Sequence, residues 1–222
     1  MAILLDGGCR VVGLKEGEPV REGGVHIWNH FSAALSLRVL EVDAAASLRN
    51  ETADEVLYVL RGHGSATSGA RTYGVQPDDG IHIPPATTLD VRASSPLTLV
   101  SCLCPAVNRG ADAAVVSMKD CPEQRTGDRF YREIISTEIT QFVGSIPPGR
   151  APDHYHLYEE VICILEGEGV MWAGTSHTPI AAGSCIFLPK GQVHCLENRG
   201  SGAMRLLGVF YPAGSPAVRY SA

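Results

Sequence analysis

The sequence predicts an all-β protein that contains two tandem copies of one β-barrel. The 222 residues include 24 glycines and 14 prolines, which suits many short strands joined by turns. Alternating apolar and polar residues, as in 34–43 (ALSLRVLEVD), are typical of a half-buried strand, and no long helical period occurs. The second half of the chain also repeats the turn glycines of the first half at a nearly constant spacing.

The internal repeat has an offset of 105 residues over most of each copy (160 − 55, 167 − 62 and 189 − 84). The matched pairs are Glu55 and Glu160, Gly62 and Gly167, Gly69 and Gly174, and Pro84 and Pro189. Further on, 100–105 matches 207–212 at an offset of 107, as expected if two residues enter a late loop. We therefore predict a first barrel at 1–110, a linker at 111–126 that contains Pro122, and a second barrel at 127–222.

One stretch of the second copy concentrates side chains that bind metals. His154, His156 and Glu160 fall within seven residues, and His194 follows a Pro-x-Gly turn. Alternate residues of a strand point to the same face, so the first two histidines can aim at one point. Three neutral imidazoles and one carboxylate suit one divalent transition ion (Fe, Mn, Ni, Co, Cu or Zn) better than Mg or Ca. The competing interpretation is that these are ordinary surface or core histidines.

These residues resemble the two motifs of the cupin superfamily, G(X)5HXH(X)3,4E(X)6G and G(X)5PXG(X)2H(X)3N. The second motif matches at every fixed position: Gly183, Pro189, Gly191, His194 and Asn198. The first motif matches except that four residues, not five, separate Gly149 from His154. With the repeat, the chain resembles a two-domain cupin, or bicupin. The resemblance implies two jelly-roll (double-stranded β-helix) barrels, with one ion near the mouth of the second, bound through the three histidines and Glu160.

The first copy lacks the ligand set. At the offset of 105 residues, the three ligand histidines correspond to Arg49, Glu51 and Leu89, and Glu160 corresponds to Glu55. A cationic arginine and a leucine cannot ligate a cation, so we predict no metal in the first barrel. Arg49 can instead pair with Glu51 or Glu55 where the ion would lie. The first barrel is then either a structural copy or a second, metal-free ligand pocket.

Bulk properties argue against several function classes. The formal net charge of −6 and the lack of a Lys/Arg cluster argue against a nucleic-acid partner. No run of about 18 apolar residues is present to cross a membrane. Seven cysteines with no Cys-x-x-Cys pair and no secretory signal favour reduced thiols in the cytoplasm. Strand edges of such barrels often pair between chains, which leaves a homodimer open.

The candidate pocket residues are aromatic or sulfur-containing side chains near the ligands and in the strands of the second copy: Phe142, Tyr158, Met171, Phe187 and Phe210. Most of them are expected in the core. If some face the ion, the pocket is partly apolar and accepts an organic substrate larger than oxalate. The sequence identifies no catalytic acid or base.

The ligand set favours a metal-dependent function but does not identify the reaction, because one fold can support many different reactions. The first hypothesis is a mononuclear metalloenzyme, a dioxygenase-like oxygenase that acts on a small oxygen-bearing organic molecule. The second is a redox-neutral isomerase, lyase or hydrolase on a sugar acid or similar anion, with the ion as a Lewis acid. The third is a non-catalytic protein that binds or senses a small molecule.

Overall fold

The computed structural model describes residues 2–106, 110–218 and 220–221. Within these residues the regular structure is antiparallel strand, apart from two short 3-10 turns at Asp6–Gly8 and Met118–Asp120. The all-β prediction is therefore confirmed. In the same part of the chain, no helix has the length and apolar character that a membrane span needs. All seven cysteines are buried free thiols.

The chain forms two compact units, each described here as a barrel. The first barrel is Gly17–Cys121, and the second combines Met1–Glu16 with Pro122–Ala222. This corrects the predicted boundaries at 110 and 126. Leu5, Cys9 and Val11 are buried in the core of the second barrel, and Ala113 is buried in the core of the first. The region predicted as a linker therefore belongs to the barrels themselves.

The strands follow one another with short connections. Two strands open the chain, β1 (Ile3–Leu4) and β2 (Arg10–Gly13). Nine strands form the first barrel: β3 (Val20–Glu22), β4 (Val25–Phe31), β5 (Ser36–Val42), β6 (Ala45–Arg49), β7 (Ala53–Ser68), β8 (Arg71–Val75), β9 (Asp79–Ile83), β10 (Thr88–Pro105) and β11 (Ala114–Ser117). Twelve strands complete the second: β12 (Gln124–Thr126), β13 (Arg129–Ser136), β14 (Thr140–Ile146), β15 (Gly149–Arg150), β16 (His154–Tyr155), β17 (Glu159–Glu166), β18 (Glu168–Ala173), β19 (Ser176–Ala181), β20 (Ser184–Leu188), β21 (His194–Asn198), β22 (Met204–Tyr211) and β23 (Tyr220–Ser221).

The first barrel is built on two long strands, β7 and β10, which pair along most of their length with register shifts near Ala93 and Thr98. The sheet order is β11-β9-β7-β10-β5-β4-β3, with β6 paired to β10 and β8 paired to β7. Alternate residues of the long strands, such as Leu57 and Leu99, enter a closed apolar core. Apolar burial of this kind is the main force that holds the barrel together.

The second barrel consists of two sheets that enclose one core. The larger has the order β1-β2-β20-β17-β22-β14-β13-β12, and the smaller has the order β19-β18-β21-β16-β23 with β15 paired to β21. Ile162 and Ile186 from the larger sheet and Leu196 from the smaller one share this core. Strand β2 joins the larger sheet by pairing Arg10–Gly13 with β20. The opening segment of the chain therefore completes the barrel that contains the predicted ligands.

Candidate metal centre

The predicted ligands come from both sheets of the second barrel. His154 in β16 and His194 in β21 are directly opposed partners in the smaller sheet, and Glu160 lies in β17 of the larger sheet. The amide of Gly191 donates a hydrogen bond to the carbonyl oxygen of His156 at 2.8 Å. Gly191 has φ 78°, a conformation that favours glycine, so the Pro-x-Gly turn physically ties the two sequence motifs together.

The four side chains converge. The ligand atoms of His154, His156 and His194 lie within 4.8 Å of one another. Oε2 of Glu160 is 3.6 Å from Nε2 of His156 and 3.6 Å from Nε2 of His194. Two donors that each lie about 2.1 Å from one ion are about 3 Å apart at a right angle and about 4.2 Å apart across the ion. The 3.6 Å separations lie between these two values, and the 4.8 Å limit lies slightly above them. The three histidines could therefore hold a metal ion, with Glu160 as a fourth donor, once the rings close slightly around it.

The imidazole rings are fixed by their surroundings. Nδ1 of His154 donates to the carbonyl oxygen of Pro152 at 3.0 Å, and Nδ1 of His194 donates to that of Gln192 at 2.8 Å. Because the protonated nitrogen is then Nδ1, the lone pair of Nε2 is left for a metal, as in other histidine sites with a hydrogen-bonded second nitrogen. His156 stacks on Tyr158, with ring centroids 4.9 Å apart and planes 11° apart.

The electrostatics of the site favour a bound cation. Glu160 is buried, and burial raises the pKa of its carboxyl group to about 8. Its Oε2 atom receives no hydrogen bond from any described residue, which is an expensive arrangement for a buried carboxylate. Burial, followed by repulsion from His154, lowers the pKa of His194 to about 3, so this imidazole is neutral near pH 7. A bound cation would provide the positive partner that the carboxylate of Glu160 lacks, and the neutral imidazoles could also bind it.

The four donors line a cavity of about 80 Å³. Most of its lining is apolar, and the main contributors are Phe142, Ile146, Ile162, Leu196, Leu206 and Phe210. Phe142 and Phe210 pack against each other with ring centroids 4.9 Å apart. Apolar walls around a polar end are the usual construction of a small-molecule site. The cavity could therefore bind a ligand both through a metal ion and through apolar contacts.

Two of the five predicted pocket residues, Phe142 and Phe210, line this cavity, whereas three do not. Tyr158 lies behind the ligand His156 and donates its hydroxyl hydrogen to the carbonyl oxygen of Ser215. Met171 is fully buried in the core. Phe187 lies under the guanidinium group of Arg10, because its neighbours Ile186 and Leu188 take the core-facing positions of the strand.

Sequence reasoning missed three further polar residues that line the cavity, Thr126, Arg129 and Ser145. Arg129 and Thr126 are opposed across a hairpin whose two-residue turn contains Gly127 at φ 64°. The Gly-Asp pair at 127–128 is a hairpin signal in the sequence, and it directly follows the region predicted as a linker. The hairpin adds a cationic side chain to a cavity whose predicted lining residues were all aromatic or sulfur-containing.

In the first barrel, Glu55 corresponds to Glu160 but is hydrogen-bonded to side chains of the barrel itself. Glu55 is buried and accepts hydrogen bonds from Arg38 at 2.6 Å, Asn50 at 2.6 Å and Ser101 at 2.5 Å. Arg49 pairs with Glu51 rather than Glu55, and this pair is at the surface, with 43% and 66% of the two side chains exposed. The expectation that Arg49 would occupy the position of the ion is therefore wrong. Arg38, from strand β5, provides the positive charge.

A family model described as "Cupin domain" matches residues 142–210, which include all four predicted ligands. No curated protein matches the chain. Among solved structures, the chain is similar to protein Ylba from E. coli, with a TM-score of 0.80 at 12% identity, covering 96% of this chain and 95% of that one.

Two other solved structures are similar. One is oxalate decarboxylase from Lactobacillus farciminis in a formate complex, with a TM-score of 0.74 at 12% identity over 92% of this chain and 87% of that one. The other is AerE from Microcystis aeruginosa, with a TM-score of 0.73 at 13% identity over 87% and 95%. At these identities the likeness concerns the fold. Residues 142–210 of the second barrel thus match a cupin domain, and the fold of the chain is similar to that of these solved structures.

Proposed function

We propose that the chain is a mononuclear metal-dependent enzyme, an oxygenase that acts on a small oxygen-bearing organic molecule. One observation carries the proposal: three imidazoles and a buried carboxylate converge on the wall of a mostly apolar cavity. A site that served only to stabilise the fold would not need such a cavity beside it. A closed, cysteine-rich donor set would also be more usual for a structural zinc ion.

The residues of the chain have separate tasks in this proposal. His154, His156, His194 and Glu160 hold the ion, which supplies Lewis acidity and, when it is redox-active, a route for reaction with O2. Pro152 and Gln192 fix two of the imidazoles through their carbonyl oxygens. The apolar wall excludes water from the bound substrate, which strengthens polar interactions at the donor end.

A second candidate is a redox-neutral isomerase, lyase or hydrolase that acts on a sugar acid or similar anion. It is favoured by the likeness of the fold to oxalate decarboxylases, since the enzyme from Bacillus subtilis contains Mn(II) centres. In that case the ion polarises an oxygen atom of the substrate, and no O2 is consumed. The third candidate, a binding or sensing protein, would use the same cavity without turnover.

Elemental analysis of anaerobically purified protein, followed by an oxygen-electrode screen of catechols, diketones and sugar acids, tests the proposal. We expect one transition-metal ion per chain and O2 consumption with at least one class of compound. The matched control is the H156A variant, which should lose both. Turnover without O2 consumption would favour the redox-neutral candidate. Failure of the protein to take up any divalent transition ion would overturn the metalloenzyme proposal.

A further inference from the structure

We propose that Arg129 binds a carboxylate group of the substrate, so that the substrate is a small organic acid with an oxygen donor beside its carboxylate and a short apolar body. This inference rests on the proposed metal site, because the oxygen donor would meet the ion while the carboxylate meets Arg129. It adds a substrate class and a specificity-determining residue that lies outside the cupin motifs.

Arg129 is held over the cavity by the hairpin β12–β13. Thr126 and Arg129 are directly opposed partners, so their side chains leave the hairpin on the same side, and both line the cavity. The intervening turn is closed by Gly127, at φ 64°, and by a hydrogen bond of 2.7 Å from Nε of Arg125 to the carbonyl oxygen of Gly127. A short hairpin of this kind fixes the direction of Arg129 better than a flexible loop would.

The charges of the lining favour an anion. Arg129 is the one arginine or lysine among the described lining residues, and Glu160 is the one aspartate or glutamate. The side chain of Arg129 is 16% exposed, whereas that of the neighbouring Asp128 is 78% exposed and its Oδ1 lies 4.0 Å from Nε of Arg129. A divalent ion with one carboxylate ligand keeps a net positive charge, and Arg129 adds a second. Guanidinium groups bind carboxylates with paired, charge-assisted hydrogen bonds.

The rest of the wall limits the body of the acid. Phe142, Leu206 and Phe210 give the cavity an apolar side that cannot satisfy a second charged group. Its volume of about 80 Å³ is well below the ~300–1,000 Å³ of pockets for drug-sized ligands. A 2-oxo acid with a short hydrocarbon chain meets all three demands, since it carries a carboxylate, an adjacent oxygen donor and an apolar body.

The test uses the full chain loaded with Co²⁺, whose visible absorption changes when a ligand binds. Pyruvate and its neutral amide, pyruvamide, are titrated into the wild type and into the variants R129Q, R129K and R132Q. The two probes have nearly the same shape, so the ratio of their affinities measures recognition of the carboxylate. Arg132 lies on the same strand and pairs with Glu123 outside the cavity lining, which makes R132Q a matched control.

We expect R129Q to bind pyruvate about tenfold or more weakly than the wild type, with pyruvamide binding unchanged, because a charge-assisted pair is lost. R129K should keep part of the preference, and R132Q should keep all of it. Normal Co²⁺ uptake combined with an unchanged pyruvate-to-pyruvamide ratio in R129Q would overturn the role of Arg129 while leaving the metal site intact. Failure of the wild type to bind Co²⁺ would overturn the metal site, and this inference with it.

Discussion

Nη2 of Arg38 lies 2.6 Å from Oε1 of Glu55 inside the first barrel. Glu55 corresponds in the repeat to Glu160, whose Oε2 instead lies 3.6 Å from two imidazole nitrogens. The same buried carboxylate is thus balanced by a guanidinium group in one copy and is available to a metal ion in the other. The difference between the copies lies in which partner compensates the charge, because a buried carboxylate needs one in either case.

The Arg38–Glu55 pair should matter for stability and not for metal content. The R38L variant leaves the carboxylate of Glu55 buried without its guanidinium partner, and breaking such a pair costs about 3–5 kcal/mol of unfolding free energy. The double variant R38L/E55L should recover most of that loss, because no buried charge remains. Chemical denaturation measures both effects. Uptake of a second ion by R38L would contradict the expectation that the first barrel binds none.

The ligand histidines should control metal content. H154A, H156A and H194A each remove one of the converging imidazoles, and we expect each variant to lose most of the bound ion while the barrel keeps its apolar core. Arg49 corresponds to His154 in the first copy, so R49Q is the matched control and should keep one ion per chain. Metal analysis after gel filtration gives the stoichiometry. A fully loaded H194A variant would contradict the predicted ligand set.

Metal uptake should release a proton from Glu160. Burial raises the pKa of this group to about 8 in the metal-free site, so it is protonated at pH 7, and a cation needs the carboxylate form. His194 contributes no proton, since its pKa is lowered to about 3. We expect about one proton per ion at pH 7 and progressively fewer above about pH 8.

Isothermal titration calorimetry in two buffers with different ionisation enthalpies counts these protons. The E160Q variant should bind the ion more weakly and release none. A proton count near zero at every pH between 6 and 9 would mean that Glu160 is already ionised in the metal-free protein.

Asp6 should stabilise the second barrel in a pH-dependent way. Its carboxylate accepts hydrogen bonds from Ser176 and Thr175, and these bonds lower its pKa from 3.8 to about 2. The contribution is therefore present above about pH 4 and is lost as the pH falls toward 2. We expect D6A to have a lower melting temperature than the wild type at pH 7. Near pH 2 the two melting temperatures should be nearly equal. D90A, at an exposed carboxylate of the first barrel, should change little at either pH.

The repeat and the ligands could be predicted because they depend on local chemistry. Gly62 and Gly167, which are 105 residues apart, have φ values of 88° and 90°, and Gly69 and Gly174 have 56° and 57°. Side chains rarely tolerate these conformations, so the glycines mark the same turns in both copies. The convergence of the histidines was predicted from strand parity and from the Pro-x-Gly turn. The structure retains the turn, but β16 ends at Tyr155, so His156 joins the site from the loop that follows the strand.

The remaining features depend on long-range pairing that local patterns do not encode. The segment from Ile3 to Gly13 has too short an apolar run to reveal that it joins the second barrel. Arg38 precedes Glu55 by 17 residues on another strand, so nothing near Glu55 in the sequence identified it as the partner. Arg129 reaches the cavity through a hairpin whose first strand, Gln124–Thr126, lies in the region predicted as a linker.

The pairing of β2 with β20 has a consequence for how the chain is made. Arg10–Gly13 emerges from the ribosome early, but its partner, which begins at Ser184, is still unsynthesised. At ~5–20 residues per second, the intervening stretch takes roughly 9–34 s to translate. All strands of the first barrel are therefore synthesised well before the second barrel, which contains the candidate metal site, can close. Until then, the side chains of Val11 and Val12 are exposed in the nascent chain, because the residues that bury them in the folded protein are not yet present.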